Sequence, residues 1–167
     1  MIDDPVLLAR AEALVAAYAA AGLTVATAES CTGGLVAGLL TAIPGSSAVL
    51  ERGFVTYSNA AKSESIGVAA DLIAAHGAVS APVARAMAEG ALAHSAASVA
   101  VAITGIAGPG GGSADKPVGL VHFGLAVEGA TVRHLERRYG DIGRTAIRRR
   151  AVDDALGLLE SVLAPTS

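Results

Sequence analysis

Apolar and polar positions alternate along this chain in blocks of two different periods. Residues 4–21 (DPVLLARAEALVAAYAAA) read as an amphipathic, alanine-rich helix. Asp3 or Asp4 can cap it, Pro5 suits its first turn and Gly22 ends it. A short β-prone run, 23–29, comes next, then a helical stretch at 33–43 that stops at Pro44-Gly45. Residues 49–58 (VLERGFVTYS) alternate enough for a strand, with Gly53 as a candidate bulge. Two short helices are expected at 59–66 and 71–76, and a longer one at 82–96 behind a Ser80 cap and Pro82. The run SVAVAIT, 98–104, is the clearest buried strand, and residues 105–117 form a glycine-rich loop. Residues 118–127 and 130–139 read as a hairpin turned at Glu128-Gly129, and a last helix spans about 143–163. Helices and strands alternate first and a hairpin closes the sheet. That order predicts a single α/β domain over 1–167, a three-layer α/β/α fold with a mixed sheet, with 164–167 as a tail.

Composition narrows the function classes. Hydrophobic residues make up 53 % of the 167 and charged ones 16 %. The apolar runs break well before the roughly 18–20 residues that span a bilayer. The N-terminal stretch carries Asp3, Asp4, Arg10 and Glu12, which does not suit a signal peptide. A soluble cytoplasmic protein is therefore expected, with no membrane partner. The net charge of −3, the 3 % of aromatics and the absence of tryptophan argue against a nucleic-acid partner. The lone cysteine, Cys31, rules out an internal disulfide and a zinc ribbon, and the four histidines show no ligand spacing. No metal site is expected.

Four stretches hold the candidate chemistry. Glu29-Ser30-Cys31-Thr32-Gly33-Gly34 lies where a strand gives way to a helix. Ligands gather beyond the carboxyl ends of strands in α/β sheets. Free N–H groups at a helix start suit a phosphate or a developing oxyanion. The bland reading is a plain Ser/Thr cap with a glycine turn; the run of four polar residues favours function. Glu29 can serve a local hydrogen-bond network, and Cys31 reads as a packing residue. The second stretch, 53–64, holds Lys62, one of only two lysines, in the first turn of a helix behind Ser58 or Asn59. The helix dipole opposes a cation there. Partial desolvation would also favour the neutral amine, which can deprotonate a serine. Tyr57 stands nearby to relay a proton or hold an oxyanion; a solvated lysine and a half-buried tyrosine are the plain alternative. The third stretch, 102–119, lacks the Gly-Lys-Ser/Thr of a phosphate loop. It also fails the dinucleotide fingerprint, because Ser113 stands where a third glycine is needed. Thr104 and Gly105 still occupy the end of a strand. In the fourth, 139–152, Arg144 or Arg148 can meet a phosphate bidentately or serve as surface charge.

TAESCTGGLVAGLLT with PGSS, then YSNAAK, GAVS, AITGIAGPGGG…KPVG and a terminal GD…IR helix together resemble the CinA C-terminal domain family over nearly the whole chain. The resemblance implies a stand-alone nicotinamide-nucleotide amidase. Such an enzyme hydrolyses nicotinamide mononucleotide to nicotinate mononucleotide and ammonia, in pyridine-nucleotide salvage. It implies no metal or organic cofactor, a small nucleotide as partner, and a homodimer or higher homo-oligomer. By motif position Ser30 is the nucleophile, Lys62 the base and Tyr57 its assistant. Thr32, Gly33 and Gly34 offer hydrogen bonds at the helix start, while Asn59, Thr104, Gly105 and Arg144 line the nucleotide site. Two departures stand out. Ala81-Pro82 follows GAVS where the family often has an acidic residue, and Gly140-Asp141-Ile142-Gly143-Arg144 replaces a direct Gly-Asp-Arg. The N-terminal domain that many members carry, associated with ADP-ribose pyrophosphatase activity, has no expected counterpart. The rival reading is a non-catalytic nucleotide-binding or competence/damage-inducible regulatory module, and turnover of the mononucleotide separates the two.

Overall fold

The structure, a computed structural model, describes residues 3–164, so most of the expected tail lies outside the described residues. Helix α1, Pro5–Ala21, opens at Asp4, whose carboxylate accepts from the Val6 and Leu7 N–H groups, and closes at Gly22 in the left-handed conformation. Strand β1, Val25–Glu29, leads to helix α2, Leu35–Thr41, and a 3₁₀ turn at Ser46–Ala48 precedes β2, Leu50–Val55. Helices α3, Asn59–Ile66, α4, Ala70–His76, and α5, Ala81–Ala93, follow. Strands β3, Val99–Gly105, β4, Leu120–Val127, and β5, Arg133–Arg138, complete the sheet before helix α6, Arg144–Glu160.

The sheet order is β2-β1-β3-β4-β5. β1 runs parallel to β2 and β3, whereas β4 is antiparallel to both its neighbours. This is the mixed sheet expected. Alternation along the strands sorts the core into two layers. Val25, Val99, Val101 and Ile103 pack with α1, α2 and α6, while Ala26, Ala28, Ala100 and Ala102 pack with α5. β3 is buried on both faces, which explains its unbroken apolar run.

Four local expectations change. The extra residue in β2 sits at Glu51, because the register steps from Val25↔Leu50 to Ala26↔Arg52; Gly53 pairs normally with Thr27. Gly53 is small for another reason: a Cβ there would lie 3.1 Å from that of Ala37. Helix α2 starts two residues late, since Gly33 and Gly34 take positive φ and form the turn into it. Helix α5 ends at Ala93, with His94 as its cap. The hairpin does turn at Glu128-Gly129, but pairing resumes only at Arg133.

What this arrangement does for chemistry is bring three parallel strand ends together. Thr56 N–H donates to the Glu29 carbonyl, and Ser30 N–H donates to that of Ile103. The residues just beyond β1, β2 and β3 are therefore neighbours.

Candidate active site

Ser30 leaves β1 at this shared end. It is 9 % exposed, so its hydroxyl borders the surface without standing clear of it. Its main chain is held on both sides: Ser30 N–H bonds to β3, and Gly33 N–H returns to the Ser30 carbonyl at 3.1 Å. Gly33 and Gly34, at φ of 58° and 96°, make the reversal that lets α2 begin beneath it. Neither the Cys31 nor the Thr32 N–H has a backbone acceptor.

Lys62 comes from α3. Ser58 caps this helix by accepting from the Ala61 N–H at 3.0 Å. A helical side chain tilts back toward its own N-terminus. Lys62 follows that direction and ends among the groups that precede the helix. Its Nζ lies 2.9 Å from the Thr56 carbonyl, 3.3 Å from the Tyr57 carbonyl and 3.1 Å from Ser30 Oγ. The residue is only 1 % exposed. Gly90 of α5 fixes how deep α3 sits: a Cβ at that position would come within 2.0 Å of the Ile66 carbonyl oxygen. Any larger residue there would lift α3, and Lys62 with it.

Burial pushes the Lys62 amine below the ordinary lysine range. The geometry accommodates the neutral form without an orphaned group. A neutral amine has two N–H donors and one lone pair. Two carbonyls take the donors, and the lone pair faces the Ser30 hydroxyl, which then donates to it. Next to Ser30, the Glu29 carboxyl is buried and accepts from the Val36 N–H at 2.6 Å. Desolvation raises its pKa to about 7, with nearby backbone N–H groups only partly offsetting that. Cys31 is buried as well, and desolvation pushes its thiol up to about 12. It stays a protonated packing residue.

The other sequence-derived residues fall into three positions. Thr32, Gly33 and Gly34 form the turn after Ser30. Thr104 is 1 % exposed and donates to the Ala78 carbonyl at 2.9 Å, and Gly105 ends β3 beside it. Asn59 is exposed at the start of α3 and lines a cavity of ≈ 380 Å³ between α3 and α4. Tyr57 connects to Lys62 through its carbonyl; its ring is 63 % exposed and its hydroxyl meets Arg144 Nη2 at 3.4 Å. Arg144 also donates to the Gly108 carbonyl at 2.9 Å, so it ties the 105–117 loop and the β2–α3 connection to α6. Sequence reasoning left Arg148 undecided between ligand and surface. Its guanidinium donates to the Cys31 and Thr32 carbonyls, at 3.0 and 3.2 Å. Its position one helical turn after Arg144 was the available signal, because both must then face the same way. No group of three or more metal-ligating side chains occurs among the described residues, and no described helix is long and apolar enough to cross a membrane.

The family model of the CinA C-terminal domain matches residues 8–163. A CinA-like protein of Anaeromyxobacter sp. (strain K) is 55 % identical over 152 residues, which are 91 % of this chain and 37 % of that protein. The chain thus spans little more than a third of the length of such relatives. A nicotinamide-nucleotide amidohydrolase PncC of Escherichia coli (strain K12) is 52 % identical over 159 residues, covering 95 % of both chains. The crystal structure of the competence/damage inducible protein CihA from Agrobacterium tumefaciens superimposes with a TM-score of 0.93 at 53 % identity, over 95 % of this chain and 96 % of that one.

Proposed function

The chain belongs to the CinA C-terminal domain family, and from that premise we propose that it is a nicotinamide-nucleotide amidase. The reaction is hydrolysis of nicotinamide mononucleotide to nicotinate mononucleotide and ammonia, a step suited to pyridine-nucleotide salvage. The relative of matching length carries the name of that activity. The observation that carries the mechanism is the buried contact of 3.1 Å between Lys62 Nζ and Ser30 Oγ.

Neutral Lys62 takes the Ser30 proton as Oγ attacks the carboxamide carbon. The carbonyl oxygen becomes an oxyanion, for which the Cys31 and Thr32 N–H groups have no competing backbone acceptor. One such donor is typically worth about 3–4 kcal/mol of barrier. Gly33 is spent on the Ser30 carbonyl, so its contribution is to the turn. The tetrahedral species collapses, the C–N bond breaks and the Lys62 ammonium returns its proton to the departing nitrogen, giving ammonia. Water then attacks the seryl ester, Lys62 accepts its proton, and nicotinate mononucleotide leaves with Ser30 restored. In this reading Arg144, which contacts the Tyr57 hydroxyl and the Gly108 carbonyl, would meet the substrate phosphate. Thr104, Gly105 and Asn59 complete the nucleotide side in this reading, and a homodimer is the expected assembly.

The test is ammonia release from nicotinamide mononucleotide. Ser30→Ala should lower it by at least about 10³-fold with the circular-dichroism spectrum unchanged. Binding of the mononucleotide by the wild type without turnover would instead identify a non-catalytic module.

A further inference from the structure

Two of the four peptide units after the nucleophile are gripped from outside the loop, by one side chain. Arg148 projects from the second turn of α6, with Nε on the Cys31 carbonyl at 3.0 Å and Nη2 on the Thr32 carbonyl at 3.2 Å. A trans peptide is planar, with its C=O and N–H pointing in opposite directions. The Cys31 carbonyl shares its plane with the Thr32 N–H, and the Thr32 carbonyl shares its plane with the Gly33 N–H. Turning both carbonyls toward the guanidinium therefore turns the Thr32 N–H away from it, toward a side where no backbone acceptor meets it. The same constraint sends the Gly33 N–H back to Ser30.

The Thr32 carbonyl also accepts from the Leu35 N–H at 3.1 Å, whereas no backbone N–H reaches the Cys31 carbonyl, so the Cys31–Thr32 peptide is the one that Arg148 alone holds. A rotated Cys31–Thr32 peptide would present a carbonyl dipole, negative end first, where a donor is required. Hydrogen bonds from a full cation also draw charge through both peptides and sharpen their N–H groups as donors.

We infer that Arg148 is a positioning residue of this site, which orients and polarises the Cys31–Thr32 peptide so that its N–H can receive the oxyanion. The inference rests on the amidase reading given above. It does not place Arg148 on the substrate, which distinguishes it from the role proposed for Arg144.

The experiment compares wild type, Arg148→Ala and Arg148→Lys in ammonia release from nicotinamide mononucleotide, with and without added guanidinium chloride at about 20 mM. Loss of one oxyanion donor predicts a fall in kcat of about 10²-fold, with KM changed by less than about threefold. The rise of rate with pH that Lys62 imposes should not move, since Arg148 acts on the oxyanion side. Guanidinium should restore Arg148→Ala by about tenfold or more while leaving Ser30→Ala dead. Lysine should not replace arginine, because one ammonium on a flexible stem cannot hold two carbonyls in a fixed fork. If the alanine variant fails to fold, Arg148→Gln is read against the same expectations. An active wild type with Arg148 variants at unchanged kcat, or with the whole loss in KM, or with a displaced pH profile, overturns the inference alone. A wild type that releases no ammonia removes the amidase reading and this inference with it.

Discussion

The chain has two lysines, and both aim their amines at main-chain carbonyls. Lys116, in the glycine-rich loop, reaches the His76 carbonyl at 2.5 Å across an exposed contact. Lys62 reaches two carbonyls and a serine hydroxyl inside the protein. Carbonyls accept from both amines, so carbonyl contact by itself cannot make the difference. Burial does: Lys62 is 1 % exposed, and desolvation penalises its charged form. Lys116 ties the loop to the end of α4, and Lys62 is the amine that the proposed mechanism uses as its base. What separates the two amines is the wall of α3, α5 and the strand ends around Lys62.

The sharpest way to break that comparison is to change Lys62. Lys62→Met should lower ammonia release by about 10³-fold, within the usual range for loss of a general base, with native circular dichroism. Lys62→Arg should be as inactive, since a guanidinium stays charged and offers no lone pair. Appreciable activity in the arginine variant would show that a cation suffices and that neutrality is irrelevant.

A second prediction concerns the other buried titratable group of the site. The folded pKa of Glu29, about 7, lies above the ordinary carboxyl value. The folded state therefore holds a proton that the unfolded chain releases, and stability falls as pH rises from about 4.5 to about 7. Across that window the loss should reach about 3 kcal/mol. Lys62 acts in the opposite sense, because its depressed pKa makes stability rise with pH toward the ordinary lysine value. His122 and His134, whose pKa values burial depresses, add stability as pH rises toward 6.5, so the readout is a difference: in urea unfolding between pH 4.5 and 7.5, Glu29→Gln should gain about 3 kcal/mol relative to wild type. An equal slope in the variant would place the proton uptake elsewhere.

The smallest effect belongs to Lys116→Met. With one exposed hydrogen bond lost, activity should stay within about twofold and stability within about 1 kcal/mol. A large loss would mean that the 105–117 loop must be latched for turnover, and the contrast between the lysines would narrow.

Much of the frame was legible because its signals are local. Asp4, Pro5 and Gly22 bracket α1 where a cap, a first-turn proline and a left-handed stop belong. Ser58 and Ser80 cap α3 and α5 as their sequence positions suggest. The misplaced features depend on neighbours. The bulge at Glu51 is set by how β2 registers on β1, and Gly53 drew attention for a glycine whose purpose is contact with α2. The late start of α2 follows from two positive-φ glycines, which a helical pattern of apolar residues does not reveal.

The site divides along the same line. The residue types near Ser30 and the odd placement of Lys62 at a helix start were visible in the chain, as was the family pattern that joins them. The 32-residue separation between the hydroxyl and the amine is closed only by the parallel pairing of β1 with β2 and by the seat that Gly90 gives α3. Arg148 is separated from the turn it holds by 117 residues, and only the docking of α6 decides that it meets two carbonyls there. The physical reason is range. Caps, turns and periodicity act over a few residues and are written into neighbouring side chains, whereas the burial that disfavours a lysine's charge requires distant elements to close over it and exclude water.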